Sequence, residues 1–342
     1  MSGPILGWDV GGANIKAARI EDGRSEARVV ERPFALWREP QRLPAMLAET
    51  AEALGRADVM AVTMTAELAD CFATKRDGVA CVLDAFGTAF PDVDARVYGV
   101  DGRFRSRAAA RCAPRQVAAA NWRASAAMVA RTTPDALFVD VGSTTTDVVP
   151  IVAGQVVARG KTDPARLRTG ELVYTGLLRT PVCAVVRWLP LRGWRCRVAA
   201  ESFAVTADAH LWLGRIGADD YTCDTPDGRG RTVGEAGARL ARMVCGDLEM
   251  LTPADITAIA EHVARAQVRQ IANGIRQVMR RLGSDCPRLA IVAGHGAVVG
   301  CEAARSLGLD VKEMREETGI AVARATPAAA VAYLLAEDLN RA

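Results

Sequence analysis

A short strand that ends in Asp-Val-Gly occurs twice in this chain. It appears first as Ile5–Val10 running into Gly11-Gly12, and again as Ala136–Val141 running into Gly142-Ser143. Each copy is followed by a second apolar run, Asn14–Ile20 in the first case and residues 148–152 in the second. Two strand–turn–strand units about 130 residues apart predict a duplicated domain, because a recurring glycine turn between matched strands is harder to obtain by chance than one glycine pair.

The residues around each unit read as α/β. Glu21-Asp22-Gly23-Arg24 is a turn signal leading to a third strand at 29–34, and Leu43–Leu54 has a helical period closed by Gly55. Residues 58–65 and 96–100 read as strands and 116–131 as an Ala-rich helix, while 79–86, within 73–90, fits either state. Further on, 156–160 follow a turn at Gly154 as another strand, and the irregular stretch from 162 reads as an insertion. Thr252-Pro253-Ala254-Asp255 is a helix start, and the long helix that follows stops at Gly283. A strand over 288–293 enters the turn Gly294-His295-Gly296-Ala297, and Thr326-Pro327 caps a last helix ending at Leu339. The expected layout is a first lobe over 1–131, with the helix 327–340 packing back on it. A second lobe over 132–326 carries an insertion at about 162–250.

Composition narrows the function classes. Lys plus Arg exceed Asp plus Glu by only 43 to 40, and aromatics are 5% of the 342 residues, so neither nucleic acid nor an anionic membrane is an expected partner. The longest uncharged stretch, 289–301, falls short of the roughly 20 apolar residues of a membrane span, and the N-terminus lacks the pattern of a signal peptide. Nine cysteines without a C-x-x-C pair, and three histidines, predict reduced thiols, no structural zinc and a cytoplasmic location. Exposed apolar edges would be compatible with a homodimer.

The turns carry the chemistry. Gly11 and Gly12 allow backbone N–H groups to point at an anion, with Asn14 and Lys16 on the returning strand as further phosphate contacts. In the second copy Gly142, Ser143, Thr144, Thr145 and Thr146 offer amide and hydroxyl donors from the opposite side. Asp9, Asp140 and Asp147 stand at strand ends, where carboxylates can hold Mg²⁺ beside phosphate oxygens. Gly294 and Gly296 would let a ligand approach the backbone closely, with His295 between them as a bystander. Together these loops predict one phosphate clamp made from the two halves of the repeat.

The two hairpins and the late Ala-Gly-x-Gly turn resemble the acetate-and-sugar-kinase, Hsp70 and actin superfamily over nearly the whole chain. That resemblance implies two ribonuclease H-like lobes with a cleft between them. A narrower resemblance rests on three segments: Thr63-Met64-Thr65-Ala66-Glu67-Leu68-Ala69-Asp70, Gly170-Glu171-Leu172-Val173-Tyr174-Thr175-Gly176 with Arg179-Thr180-Pro181-Val182, and Ala200-Glu201-Ser202-Phe203-Ala204 through Asp208. These are similar to the hydantoinase/oxoprolinase-like family of the tetrahydromethanopterin-linked C1 pathway, whose archaeal relatives join the furan and tyramine halves of methanofuran. Ala66, where the family pattern usually has Gly, and His295, at a commonly apolar turn position, depart from it.

The resemblance implies a transferase that condenses an aminomethylfuran-methyl diphosphate with the phenol of tyramine or γ-glutamyltyramine and releases diphosphate. Glu67, Glu171 and Asp208 are the candidate bases for the phenol proton, and Lys16, Lys75 and Arg179 the candidate cations for diphosphate or a glutamyl carboxylate. Mg²⁺ is the expected cofactor, and the superfamily cleft would also seat ATP or ADP. The rival readings are an ATP-dependent small-molecule kinase, an ATP-driven amidohydrolase and a non-enzymatic ATP-binding or actin-like assembly protein.

Overall fold

A computed structural model describes residues 3–21 and 26–341. The turn signal at 21–24 falls largely outside them, although the strands on either side pair as expected. In chain order the first sheet contains β1 (Ile5–Val10), β2 (Asn14–Ile20), β3 (Arg28–Pro33), β4 (Val59–Met64), β5 (Asp94–Tyr98) and β6 (Phe104–Ser106). Their spatial order is β3-β2-β1-β4-β5-β6, with β1 antiparallel to β2 and parallel to β4. Helices α1 (Leu43–Leu54), α2 (Lys75–Ala89), α3 (Arg107–Cys112), α4 (Pro114–Val117) and α5 (Asn121–Thr132) belong to this half.

The second sheet repeats the plan with β7 (Ala136–Val141), β8 (Thr146–Val152), β9 (Gln155–Val156), β10 (Leu172–Val173), β13 (Leu289–Ala293) and β14 (Asp310–Glu313). β7 is antiparallel to β8 and parallel to β13, which is parallel to β14, so β7, β8, β13 and β14 stand where β1, β2, β4 and β5 stand in the first sheet. Between β9 and β13 lie α6 (Asp163–Thr169), α7 (Val182–Val185), a separate hairpin of β11 (Trp188–Leu191) and β12 (Trp194–Arg197), α8 (Thr206–Trp212), α9 (Val233–Arg242) and α10 (Pro253–Leu282). After β13 come α11 (Ala297–Arg305), α12 (Arg315–Arg324, kinked at Gly319) and α13 (Thr326–Arg341). Each half is thus ribonuclease H-like, and the whole is an actin/Hsp70/sugar-kinase-like α/β fold with a cleft between the lobes.

The lobes share an apolar layer. Trp122 of α5 and Leu335 of α13 lie in one buried cluster with Ile5 and Ala18 from the first sheet and Phe138 and Ile151 from the second. Small residues make that approach close: a Cβ at Gly7 of β1 would stand 2.0 Å from the carbonyl oxygen of Ala328, so helix and strand backbones touch there. Burial of so many alanines also explains how a short-side-chain helix holds two sheets together, since dispersion contacts grow with closeness rather than with chain length.

One open expectation is resolved and two are corrected. Residues 79–86, which fit either state in the sequence, lie within the helix 75–89, which starts where Thr74 Oγ1 accepts from Asp77 N at 3.2 Å and the Asp77 carboxylate accepts from Thr74 N at 3.1 Å. The single helix expected over 116–131 is two, broken at Ala118–Ala120, where Ala119 adopts φ +49°. The strand expected over 156–160 ends at Val156, and the amides of Arg159 and Gly160 turn instead to a side chain, Glu171, at 2.7 Å each. Among the described residues, no helix is long and apolar enough to cross a membrane.

Candidate active site

Both glycine turns close in the same way. Gly11 N donates to Asn14 O, and Gly142 N donates to Thr145 O, each at 2.9 Å. Both turns open into one cavity of about 500 Å³. From the first hairpin it is lined by Asp9, Gly11, Gly12, Asn14 and Lys16. The second hairpin contributes Asp140, Gly142, Ser143, Thr144, Thr145 and Asp147, and the late turn contributes Gly294.

The second turn is braced from behind by residues 175–180. Leu177 N donates to Gly142 O at 2.9 Å, and Leu178 N and Arg179 N both donate to Ser143 O at 3.0 Å. Gly176 lies so close that a Cβ there would stand 2.5 Å from Thr144 N. Its carbonyl accepts from Gln267 Nε2 of α10 at 2.6 Å and from Thr206 Oγ1 at 3.0 Å, which ties the turn to the longest helix. Thr146 belongs to this brace and not to the cavity: its hydroxyl is fully buried and donates to Thr175 O at 2.7 Å. Its expected phosphate role is therefore corrected, because side chains alternate along a strand and Thr146 falls on the inner face.

Gly296 also stands apart from the cavity. Its N–H donates to Val141 O at 2.8 Å, and a Cβ on it would lie 2.4 Å from Val141 Cγ1, so it serves the packing of α11 on β7. Gly294, at φ +88°, passes over the Asp140 carboxylate, where a Cβ would come within 2.3 Å of Oδ1. His295 lines the cavity, with Nε2 3.4 Å from Glu31 Oε1.

Charge distinguishes the two hairpins. Across the first, Asp9 faces Lys16; across the second, Asp140 faces Asp147. Like charges directly opposite one another repel, and burial adds to the cost. Burial, helped by the Asp147 charge, pushes the Asp140 carboxyl up to about 7. Asp9 is pushed up to about 6, chiefly by burial, with Glu31 and Asp147 adding to the shift and Lys16 opposing it. Burial raises Asp147 too, but Arg166 offsets part of it by donating from Nη1 to Oδ1 at 2.9 Å. Lys16 donates from Nζ to Arg324 O at 2.7 Å.

A hard divalent cation fits this donor set. Among the described residues Asp9 Oδ1 is buried without a hydrogen-bond partner, and burial pushes both the Asp9 and the Asp140 carboxyls up, so a bound cation would relieve the cost of ionising them. Among the described residues there is no group of three or more His, Cys, Asp or Glu arranged to hold a metal. Mg²⁺ suits so sparse a protein contribution, since it commonly keeps waters and takes one or two carboxylates beside substrate phosphates. Asp147, expected as a third ligand, has Oδ1 committed to Arg166.

Of the three candidate bases, only Glu67 lines the cavity. It is buried in the turn just past β4, its Oε1 accepts from Lys75 Nζ at 3.2 Å, and its Oε2 has no hydrogen-bond partner among the described residues. Burial raises its pKa, against the pull of Lys75. Lys75, one of the candidate cations, also pairs across the cleft with Asp163 at the start of α6. Glu171 is corrected: its carboxylate is completely buried, accepting from Arg159 N and Gly160 N and pairing with Arg281 Nη1 at 2.5 Å, so no lone pair faces a substrate. Asp208 is corrected likewise, held by Val205 N at 2.9 Å, Tyr221 Oη at 3.1 Å and Arg239 Nε at 2.8 Å. Replacing Asp208 by Ala should leave the buried Arg239 short of a counter-charge and cost about 3 kcal/mol in urea unfolding, with kcat per folded molecule unchanged. A large kcat loss in folded Asp208→Ala would return it to the active site.

Arg166 was not legible as a site residue. It lies in an irregular stretch, yet it is buried under Asp147 with its guanidinium 4.2 Å from the Trp122 ring. The one available signal was the Asp140–Asp147 register, which demands a nearby cation.

Residues 58–337 match the hydantoinase/oxoprolinase family. The chain is 35% identical, over 98% of its length and 99% of the relative's, to a (4-{4-[2-(gamma-L-glutamylamino)ethyl]phenoxymethyl}furan-2-yl)methanamine synthase of Methanocaldococcus jannaschii. A protein of the same name from Methanococcus vannielii is 32% identical over 60% of this chain and 92% of its own. Among solved structures, nucleotide-free acetone carboxylase superposes with TM-score 0.56 at 10% identity, covering 97% of this chain and 70% of that one. The ethanolamine utilization protein EutJ of Carboxydothermus hydrogenoformans gives 0.51 at 14% identity, covering 97% and 90%. These likenesses speak to the fold alone.

Proposed function

The chain belongs to the hydantoinase/oxoprolinase family, and from that premise we propose that it is the aryl-ether-forming synthase of a methanofuran-type cofactor. It would join an aminomethylfuran-methyl diphosphate to the phenol oxygen of tyramine or γ-glutamyltyramine. The product named for its relatives contains that phenoxymethyl-furan linkage. The observation that carries the reading is that two glycine turns, the buried carboxyls of Asp9 and Asp140, and the buried Glu67 line a single cavity.

The chemistry follows from these parts. The bond between the furan-methyl carbon and the diphosphate oxygen breaks, and its electron pair leaves with diphosphate. The furan ring oxygen stabilises the positive charge that develops on carbon. Amides of 12–13 and 143–145, with the hydroxyls of Ser143, Thr144 and Thr145, would receive the growing charge on the leaving group, as preorganised donors do in other anionic transition states. Asp9 and Asp140 would hold Mg²⁺, which when bound supplies charge neutralisation for diphosphate. A phenol oxygen then forms the new carbon–oxygen bond, and its proton passes to Glu67. Enclosure between the lobes keeps water from competing for the same carbon.

The deciding assay supplies the furan-methyl diphosphate and tyramine without ATP and measures released diphosphate; ADP formation from ATP and tyramine alone would overturn the proposal. Glu67→Gln should lower kcat about 100- to 1000-fold with the donor KM little changed. The base works ionised, so activity should rise with pH. Because burial raises Glu67, the acid limb should lie above the ordinary glutamate range and vanish in the variant. Lys75 and Asp163, the charged groups beside it, oppose one another in this shift. An unchanged limb in Glu67→Gln would assign the base elsewhere.

A further inference from the structure

A second cavity, of about 290 Å³, adjoins the first and shares with it Asn14, Trp37, Ser143 and Arg179. Its remaining walls come from both lobes, with Phe34 and Arg38 on one side and Thr222, Cys223 and Asp224 on the other. Trp37, half-buried, stands at the junction between two guanidiniums, Arg179 at 5.0 Å and Arg38 at 5.9 Å from its ring. Arg38 is already paired with Asp224 at 2.9 Å. Arg179 has no carboxylate partner among the described residues, while Lys16 and Lys75, the other two candidate cations, are engaged. An unpaired guanidinium held on an aromatic ring where the two cavities meet would suit an acceptor that carries an anion on its non-reacting end.

We propose that this side cavity is the acceptor's tail subsite: the phenol hydroxyl points toward Glu67 in the larger cavity, and Arg179, held on the Trp37 ring, binds a carboxylate on the non-reacting end. The inference rests on the proposed reaction for the identity of the phenol, but not for the existence of the subsite. It makes Arg179 a specificity residue, one that favours a carboxylate-bearing phenol over a plain phenolic amine. It also assigns the cavity wall at Cys223, far from the turn amides in sequence and absent from the diphosphate cavity, to acceptor recognition alone.

Calorimetry without donor tests this with three probes: γ-glutamyltyramine, tyramine, and inorganic diphosphate with Mg²⁺. Wild-type protein should bind γ-glutamyltyramine about tenfold or more tighter than tyramine, a difference suited to one charge-assisted carboxylate contact. Arg179→Gln should erase that difference, and Trp37→Ala, which removes the ring that holds Arg179, should reduce it. Cys223→Phe, which fills the side cavity, should weaken γ-glutamyltyramine alone and leave diphosphate binding within about twofold. Equal affinity of wild-type protein for the two phenols, or γ-glutamyltyramine binding indifferent to both Arg179→Gln and Cys223→Phe, overturns the subsite. The expected binding pattern with no diphosphate released on adding donor would instead retain the subsite and defeat the proposed reaction.

Discussion

Asp140→Asn should abolish turnover and make the protein more stable. Asparagine keeps the shape of the side chain but removes a charge that burial and Asp147 oppose strongly enough to push the carboxyl up to about 7. Loss of that carboxylate from the cavity between the two glycine turns is expected to cost about three orders of magnitude in kcat. The sign of the stability effect follows from linkage. A carboxyl whose folded pKa exceeds its unfolded value contributes stability that is fully present near pH 4 and is lost as pH rises through about 7. Wild-type protein should therefore weaken across that window relative to the variant, and the gap should level off above it. Because Asp140 is partly reached by solvent, about 2 kcal/mol, or about 3 °C in Tm, is the expected size in metal-free buffer at pH 8. Added Mg²⁺ should then raise the wild-type Tm and leave that of the variant nearly unchanged. Full activity in Asp140→Asn, or a variant no more stable than wild type at pH 8, would show that this carboxylate is not the strained element of the site.

A methyl group on Gly176 should damage the second turn from behind. The Cβ of Gly176→Ala would sit 2.5 Å from Thr144 N and 2.6 Å from Ser143 C, both backbone atoms that cannot swing away as a flexible side chain would. Gln267 and Thr206 fix the Gly176 carbonyl on the other side, so strain has to move the turn. Displacing transition-state donors by about 1 Å costs about 100-fold in rate, and overpacking of this kind destabilises by about 1–3 kcal/mol. Diphosphate binding and kcat should both fall. Gly234→Ala in α9 provides the control: nothing lies within 4 Å of the added Cβ, so activity should be unaffected. Equal behaviour of the two variants would mean that the brace does not position the turn.

Much of the fold was legible along the chain. β1, β2, α1 and β7 fall where their apolar periods put them, and α10 starts at the Thr252–Asp255 cap and stops at Gly283. In each case the signal is local: a period of two or 3.6, a capping side chain, a glycine at the end. The break at Ala118–Ala120 carried no such signal, because alanine favours helix and only the packing around it selects the left-handed turn at Ala119.

The cavity residues divide along the same line. Asp9, Gly11, Gly12, Asp140, Gly142 and Gly294 could be picked out because a tight turn at a strand end dictates both residue type and position. Glu67, Glu171 and Asp208 were alike in sequence, three acids near element ends, and only their partners separated them. Glu171 and Asp208 spend their oxygens on amides and arginines brought from 110 and 31 residues away, whereas Glu67 keeps an oxygen free. The chain alone therefore determined the repeated hairpins and the kind of ligand they suit, since both depend on neighbours a few bonds apart. Which of the three acids lines the cavity, and which arginine there remains without a carboxylate partner among the described residues, was decided by tertiary structure, because desolvation and ion pairing depend on groups distant in sequence that meet only when the chain folds.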